Sequence, residues 1–181
     1  MIKILPPART KNLNEKPPQS GEFVLYWMQS SQRVQENWAL TYAVQTANSF
    51  DLPLVVYFGL TPEFPEANYR HYWFMLEGLS EVSNELEELG VKLVVKAASP
   101  EVGVVELSEN AACVIVDRGY LRVNRDWYRY AAQNLRMQLV QVEDNVVVSV
   151  EEASNKEEYS AATLRPKLHK KIRDFLELPP K

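Results

Sequence analysis

A three-layer, Rossmann-like α/β domain with a five-stranded parallel sheet in the order 3-2-1-4-5 is the fold that this sequence predicts. Two observations carry the prediction. Short apolar runs recur along the chain, at Phe23–Met28, Leu54–Leu60, Val91–Val95, Cys113–Asp117 and Gln138–Glu143. Runs of this length read as strands buried on both faces. Between them lie stretches whose apolar residues recur at helical spacing. Strand and helix therefore alternate, at separations that suit right-handed crossovers.

The elements follow in order. Residues 1–21 are rich in Pro, Lys, Asn and Gln and read as an arm, disordered or laid over the domain. The first strand, Phe23–Met28, leads through the polar loop Gln29–Arg33 into a helix over about Glu36–Phe50, with Trp38, Ala39, Tyr42, Ala43 and Thr46 toward the sheet. Asp51-Leu52-Pro53 stops it. After the second strand comes a loop with Pro62 and Pro65, then the longest helix, about Asn68–Leu89. Its apolar stripe is Tyr72, Met75, Leu76, Leu79, Val82 and Leu86, and Gly90 is its stop. Pro100 opens a third helix to about Glu109, a position where proline is tolerated. A fourth helix covers about Asn124–Leu135. Val146–Val150 reads as a short strand extension, and residues 151–181 as a polar strap with a helix over about Leu168–Leu176. The domain proper is then 22–150.

Composition narrows the function. A net charge of -4 argues against nucleic-acid binding by bulk charge. The single cysteine, Cys113, sits in the run ACVIV and reads as an inert core residue. No apolar stretch approaches the roughly 20 residues of a membrane span, and no signal-peptide pattern opens the chain, so a cytoplasmic protein is expected. The two histidines, His71 and His169, have no metal-ligand partners at the usual spacing. There is no nucleophile elbow and no glycine-rich phosphate loop.

In the expected strand order the topological switch point falls between the first and fourth strands. The turns after Met28 and Asp117 should face each other there. Tyr26, Trp27, Met28, Arg33, Asn37 and Trp38 would line one side of a flat slot, and Asp117, Arg118 and Tyr120 the other. The aromatics would stack on a planar ligand, and Arg33, Asn37 and Asp117 would anchor its polar groups. Asn37 equally suits a helix cap, and Trp38 a core position. Trp27 and Asp117 should open onto the same side of the molecule.

Four motifs resemble the N-terminal domain of class II cyclobutane-pyrimidine-dimer photolyases. They are Tyr26-Trp27-Met28 with Gln32-Arg33 and Asn37-Trp38-Ala39-Leu40; Ala67, Arg70 and Tyr72 with Phe74-Met75-Leu76 and Gly78-Leu79; Asp117 with Leu121-Arg122 and Trp127; and Val140–Val148 with Ala153-Ser154, Lys156, Glu158-Tyr159, Thr163 and Arg165-Pro166-Lys167. The resemblance spans about Phe23–Leu178. Two departures touch the slot. Gly119-Tyr120 stands where members commonly carry Ser-Pro, and Gln29-Ser30-Ser31 where members often carry a charged pair.

The resemblance implies an α/β domain that holds an antenna chromophore, a deazaflavin or a folate. FAD and damaged DNA would belong to a C-terminal helical domain, beginning where this sequence stops, in which light-excited flavin splits the dimer by electron transfer. No catalytic residue carries over, and the chain alone is expected to be inactive. The face toward that domain, around Tyr159–Phe175, is expected to favour self-association. A free-standing module for a nucleotide or flavin-like cofactor, or a cryptochrome-like signalling domain, is the alternative.

Overall fold

The computed structural model describes residues 7–176 and residue 179. A 3-10 turn, Pro7–Arg9, leads into β1 (Thr10–Asn12); β2 (Phe23–Trp27), α1 (Trp38–Phe50), β3 (Leu54–Leu60), α2 (Tyr69–Glu88), β4 (Lys92–Ala97), α3 (Pro100–Leu107), β5 (Ala111–Asp117), α4 (Arg122–Asn134) and β6 (Leu139–Val142) follow, then α5 (Val150–Ala153) and α6 (Ala161–Phe175).

The sheet has six strands, not five, in the order β1-β6-β5-β2-β3-β4. Five run parallel; β1 pairs antiparallel with β6, Thr10 opposite Val142 and Asn12 opposite Val140. This arm strand corrects the expected count and extends the order by one position at the β6 edge, while the five parallel strands keep the expected 3-2-1-4-5 arrangement. It went unseen because Thr10-Lys11-Asn12 has no apolar pattern; the strand exists only because β6 would otherwise present an open edge.

Period-two alternation divides the core. Val24, Tyr26, Met28, Val56, Cys113 and Ile115 pack beneath Trp38, Ala39 and Ala43 of α1 and Val82 and Leu86 of α2. Leu25, Trp27, Tyr57, Val114, Val116 and Leu139 pack beneath Val104 of α3 and Trp127, Tyr128 and Ala131 of α4. Trp27 meets Tyr128 edge-on, ring centroids 5.6 Å apart.

Only Leu79, Val82 and Leu86 of the α2 stripe are buried. The helix has 20 residues, about 30 Å of rise, against about 20 Å for the six-residue β4 beside it. Its N-terminal turns therefore overhang the sheet and leave Tyr69, Trp73 and Phe74 exposed. Residues 146–149 form an irregular loop rather than a strand extension, and α6 begins at Ala161, seven residues before the expected Leu168.

Arg9 ties the arm to the rest. Its buried guanidinium donates to the carbonyls of Glu143, Val146 and Val147 at 3.2, 3.0 and 2.7 Å. It also lies 4.9 Å from the Trp38 ring centroid and 5.5 Å from that of Phe175.

Candidate functional site

The turn after β2 is organised by Asp117, the last residue of β5. Its carboxylate accepts from the backbone N–H groups of Gln29 at 2.9 Å, Ser30 at 2.9 Å and Ser31 at 2.8 Å. Burial pushes the carboxyl up to about 6, against the lowering effect of the N–H groups of Ser31, Ser30 and Gln29; nearby Asp144 adds to the rise. The Tyr26 hydroxyl lies 3.4 Å from the same carboxylate, and burial raises its pKa well above the usual tyrosine value.

The expected slot between the turns after Met28 and Asp117 does not exist, because these bonds close it. Tyr26, Trp27 and Met28 are fully buried and cannot stack on a ligand. Trp27 and Asp117 lie on opposite faces of the sheet, and neither opens to solvent. Residue alternation along a strand decides this: Trp27 follows Leu25, whereas Asp117 follows Cys113 and Ile115.

The other candidates support neighbouring structure. Asn37 caps α1, its Oδ1 accepting from Leu40 N–H at 2.8 Å, while its amide donates to the carbonyls of Ser31 and Arg33. Trp38 packs in the core, and its backbone N–H donates to Asp144 at 2.6 Å. Arg33 pairs with Asp144. Arg118 pairs with Glu151 at 2.6 Å and Glu143 at 3.3 Å, not with Asp117. The Tyr120 hydroxyl donates to Glu143 at 2.8 Å.

An open cleft of about 960 Å³ lies one strand over, at the carboxyl edge of β2 and β3. Its walls include Gln29, Ser30, Leu60, Phe64, Tyr72, Met75, Leu121, Asn124 and Trp127. None of the nine expected site residues lines it. Two of them hold its wall from behind: Asp117 fixes the Gln29–Ser31 turn, and Trp27 Nε1 donates to Gln29 Oε1 at 3.0 Å. Gln29 in turn spans to Gly59, accepting from its N–H and donating to its carbonyl. The Tyr72 hydroxyl donates to Thr61 O at 2.8 Å and fixes the β3–α2 loop. Phe64 and Trp127 approach at 6.1 Å between centroids.

No lysine or arginine is among these lining residues; the ionisable groups are Glu66, His71 and Tyr72. The surface is predominantly apolar and aromatic, suited to a planar, uncharged ring and unsuited to a diphosphate. The signal for Phe64, Tyr72 and Trp127 was in the sequence, but the overhang of α2 that gathers them was not. No cluster of His, Cys, Asp or Glu that could hold a metal occurs among the described residues, and none of their helices is long and apolar enough to cross a membrane.

Parallel strands with helices on both faces and a cleft at the carboxyl edge define a Rossmann-like α/β domain. Comparison with known proteins carries this to a family. The DNA photolyase family profile matches residues 24–181. The chain belongs to the DNA photolyase family. It is 48% identical over 169 residues to the deoxyribodipyrimidine photo-lyase of Methanothermobacter thermautotrophicus, covering 93% of this chain and 38% of that protein. It is 38% identical over 167 residues to that of Potorous tridactylus, covering 90% of this chain and 31% of that one. The chain thus spans about a third of these relatives. Among solved structures, an archaeal photolyase from Sulfolobus tokodaii, described with two FAD molecules, superposes with a TM-score of 0.66 at 17% identity over 81% of this chain and 34% of that one. A Synechocystis cryptochrome gives 0.64 at 15% identity over 87% and 35%. These likenesses concern the fold.

Proposed function

We propose that this chain is the antenna-type N-terminal domain of a class II cyclobutane-pyrimidine-dimer photolyase, and that the cleft walled by Phe64, Tyr72 and Trp127 receives the antenna chromophore. The observation that carries the reading is the cleft's chemistry: aromatic walls, a single overhanging helix and no lysine or arginine among the lining residues. Those properties favour a deazaflavin over a folate, whose glutamate tail brings carboxylates that no cation here would meet. They equally disfavour the diphosphate of FAD. Flavin chemistry, and the engagement of damaged DNA, are assigned to a helical partner domain. When bound there, FAD would supply the light-driven electron that splits the dimer.

This chain's residues bind, orient and shield the antenna. Asp117 holds the wall Gln29–Ser31, Arg33 and Asn37 brace the turn behind it, and Tyr72 fixes the facing loop. The class II assignment rests on the four motifs of residues 26–40, 67–79, 117–127 and 140–167, and a cytoplasmic location accords with the family's reading. The test is an absorption spectrum of the protein purified from a host that makes deazaflavin. A visible band that co-purifies is the expected result. Its absence, where a pigment-bearing relative keeps its band, would remove the antenna assignment.

A further inference from the structure

Asn124 stands in the first turn of α4 and lines the cleft, yet it is only 6% exposed. Its carboxamide makes no hydrogen bond to any of the described residues, whereas the polar groups around it are engaged. Gln29 is held by Trp27 and Gly59. The Tyr72 hydroxyl is held by Thr61 O and Phe64 N–H. Thr61 Oγ1 accepts from Glu63 N–H, and His71 Nδ1 from Asn68 N–H. Among the described residues the one buried side-chain polar atom without a partner is Ser149 Oγ, so the Asn124 amide, which has no protein partner, reaches the solvent of the cleft and is free to pair with a ligand there.

The surroundings are shaped to hold it. Gly119 lies against the carboxamide; a Cβ there would sit 2.5 Å from Asn124 Cγ and 2.6 Å from Ser30 Oγ. The volume a side chain at 119 would take is the volume the amide occupies. The Gly119 N–H donates to Tyr128 OH at 2.8 Å, which fixes the turn from below. A carboxamide offers one acceptor and one donor side by side. Its complement is a ring edge with N–H and C=O adjacent, as in a lactam or imide.

We propose that Asn124 is the specificity-determining group of the cleft, pairing with the lactam or imide edge of a neutral planar heterocycle. The inference rests on the cleft's being a chromophore site, and it adds which edge of the ring is read. Both hydrogen bonds form only if the ring nitrogen carries its proton. A site built to pair with an N–H rejects an analogue lacking it, because its own polar groups are left unpaired.

The test uses riboflavin, which has a free imide N–H, and 3-methylriboflavin, which lacks it, titrated into the whole chain and read by flavin fluorescence. The expected result is at least about tenfold weaker binding of the methylated compound. Asn124→Leu should bind riboflavin at least about tenfold more weakly and lose the preference, without a large fall in thermal midpoint, since the amide it removes has no protein partner. Asn124→Asp, which keeps the shape but removes the donor at neutral pH, should also weaken riboflavin. Equal binding of both flavins to the unaltered protein, or a preference that persists in Asn124→Leu, overturns the role of Asn124 while leaving the cleft a ring site. Failure of both flavins to bind the unaltered protein overturns the cleft reading and this inference with it.

Discussion

Three backbone N–H groups converge on one carboxylate at Asp117, and that residue controls the turn on which the cleft depends. The carboxyl's pKa is raised to about 6 from 3.8, so the folded chain binds this proton more tightly than the unfolded chain. The group's contribution to stability is therefore greatest below about pH 4, declines as pH rises from 4 to 6, and is flat above. The total change is roughly 3 kcal/mol. Glu151, whose carboxyl the Arg118 guanidinium holds below its ordinary range, acts in the opposite sense and loses stability on acidification. The comparison must therefore be with Asp117→Asn. Urea unfolding from pH 4 to pH 7 should show the wild type losing about 2 to 2.5 kcal/mol relative to the variant. A constant difference across that range would show that Asp117 does not titrate there. Asn37 serves as a cap and not as a ligand anchor: its Oδ1 accepts from Leu40 N–H, and its amide donates to the carbonyls of Ser31 and Arg33.

At the scale of elements, α6 depends on a residue from the opposite end of the chain. Arg9 spans three carbonyls of the segment 143–147 and sits between the rings of Trp38 and Phe175. Burial lowers its pKa, an effect offset in part by Glu143 and Asp144. Arg9→Ala leaves those carbonyls without their donor and opens a gap between two aromatic rings. The expected cost is about 2–4 kcal/mol, with amide exchange accelerating in α6 and in residues 143–149 rather than in α1 to α3. Arg9→Lys should recover little, since an ammonium cannot reach three carbonyls in a plane and stack at once. Uniform acceleration over the whole chain would mean that Arg9 supports global stability and not this strap.

On the scale of the whole molecule, apolar surface is concentrated on the overhanging start of α2, where Tyr69, Trp73 and Phe74 are 74%, 56% and 81% exposed. The strap exposes chiefly Tyr159 and Leu176. Concentration-dependent self-association, first expected from the strap, is therefore predicted to run through α2. Light scattering should show association of the wild type that Trp73→Glu with Phe74→Glu abolishes and Tyr159→Ser leaves in place. A strict monomer at millimolar concentration would exclude both faces.

The alternation of apolar runs with helical stretches determined the five parallel strands and the helices between them, because strand burial and helix amphipathicity are written in local periodicity. β3 was legible to the residue, Leu54–Leu60, and the Asn37 cap was legible from residue type. The motifs of residues 26–40 and 117–127 pointed to the family. What tertiary structure alone decided is where those motif residues face. Alternation about Trp27 and Asp117 places them on opposite sides of the sheet, and Asp117 spends its charge on the turn it was expected to oppose. The arm strand Thr10–Asn12 carries no pattern of its own and is induced by the edge of β6. The cleft arises because α2 outruns its strands and brings Tyr72 and Met75 to face Leu121, Asn124 and Trp127, a meeting of segments some fifty residues apart that no local pattern encodes.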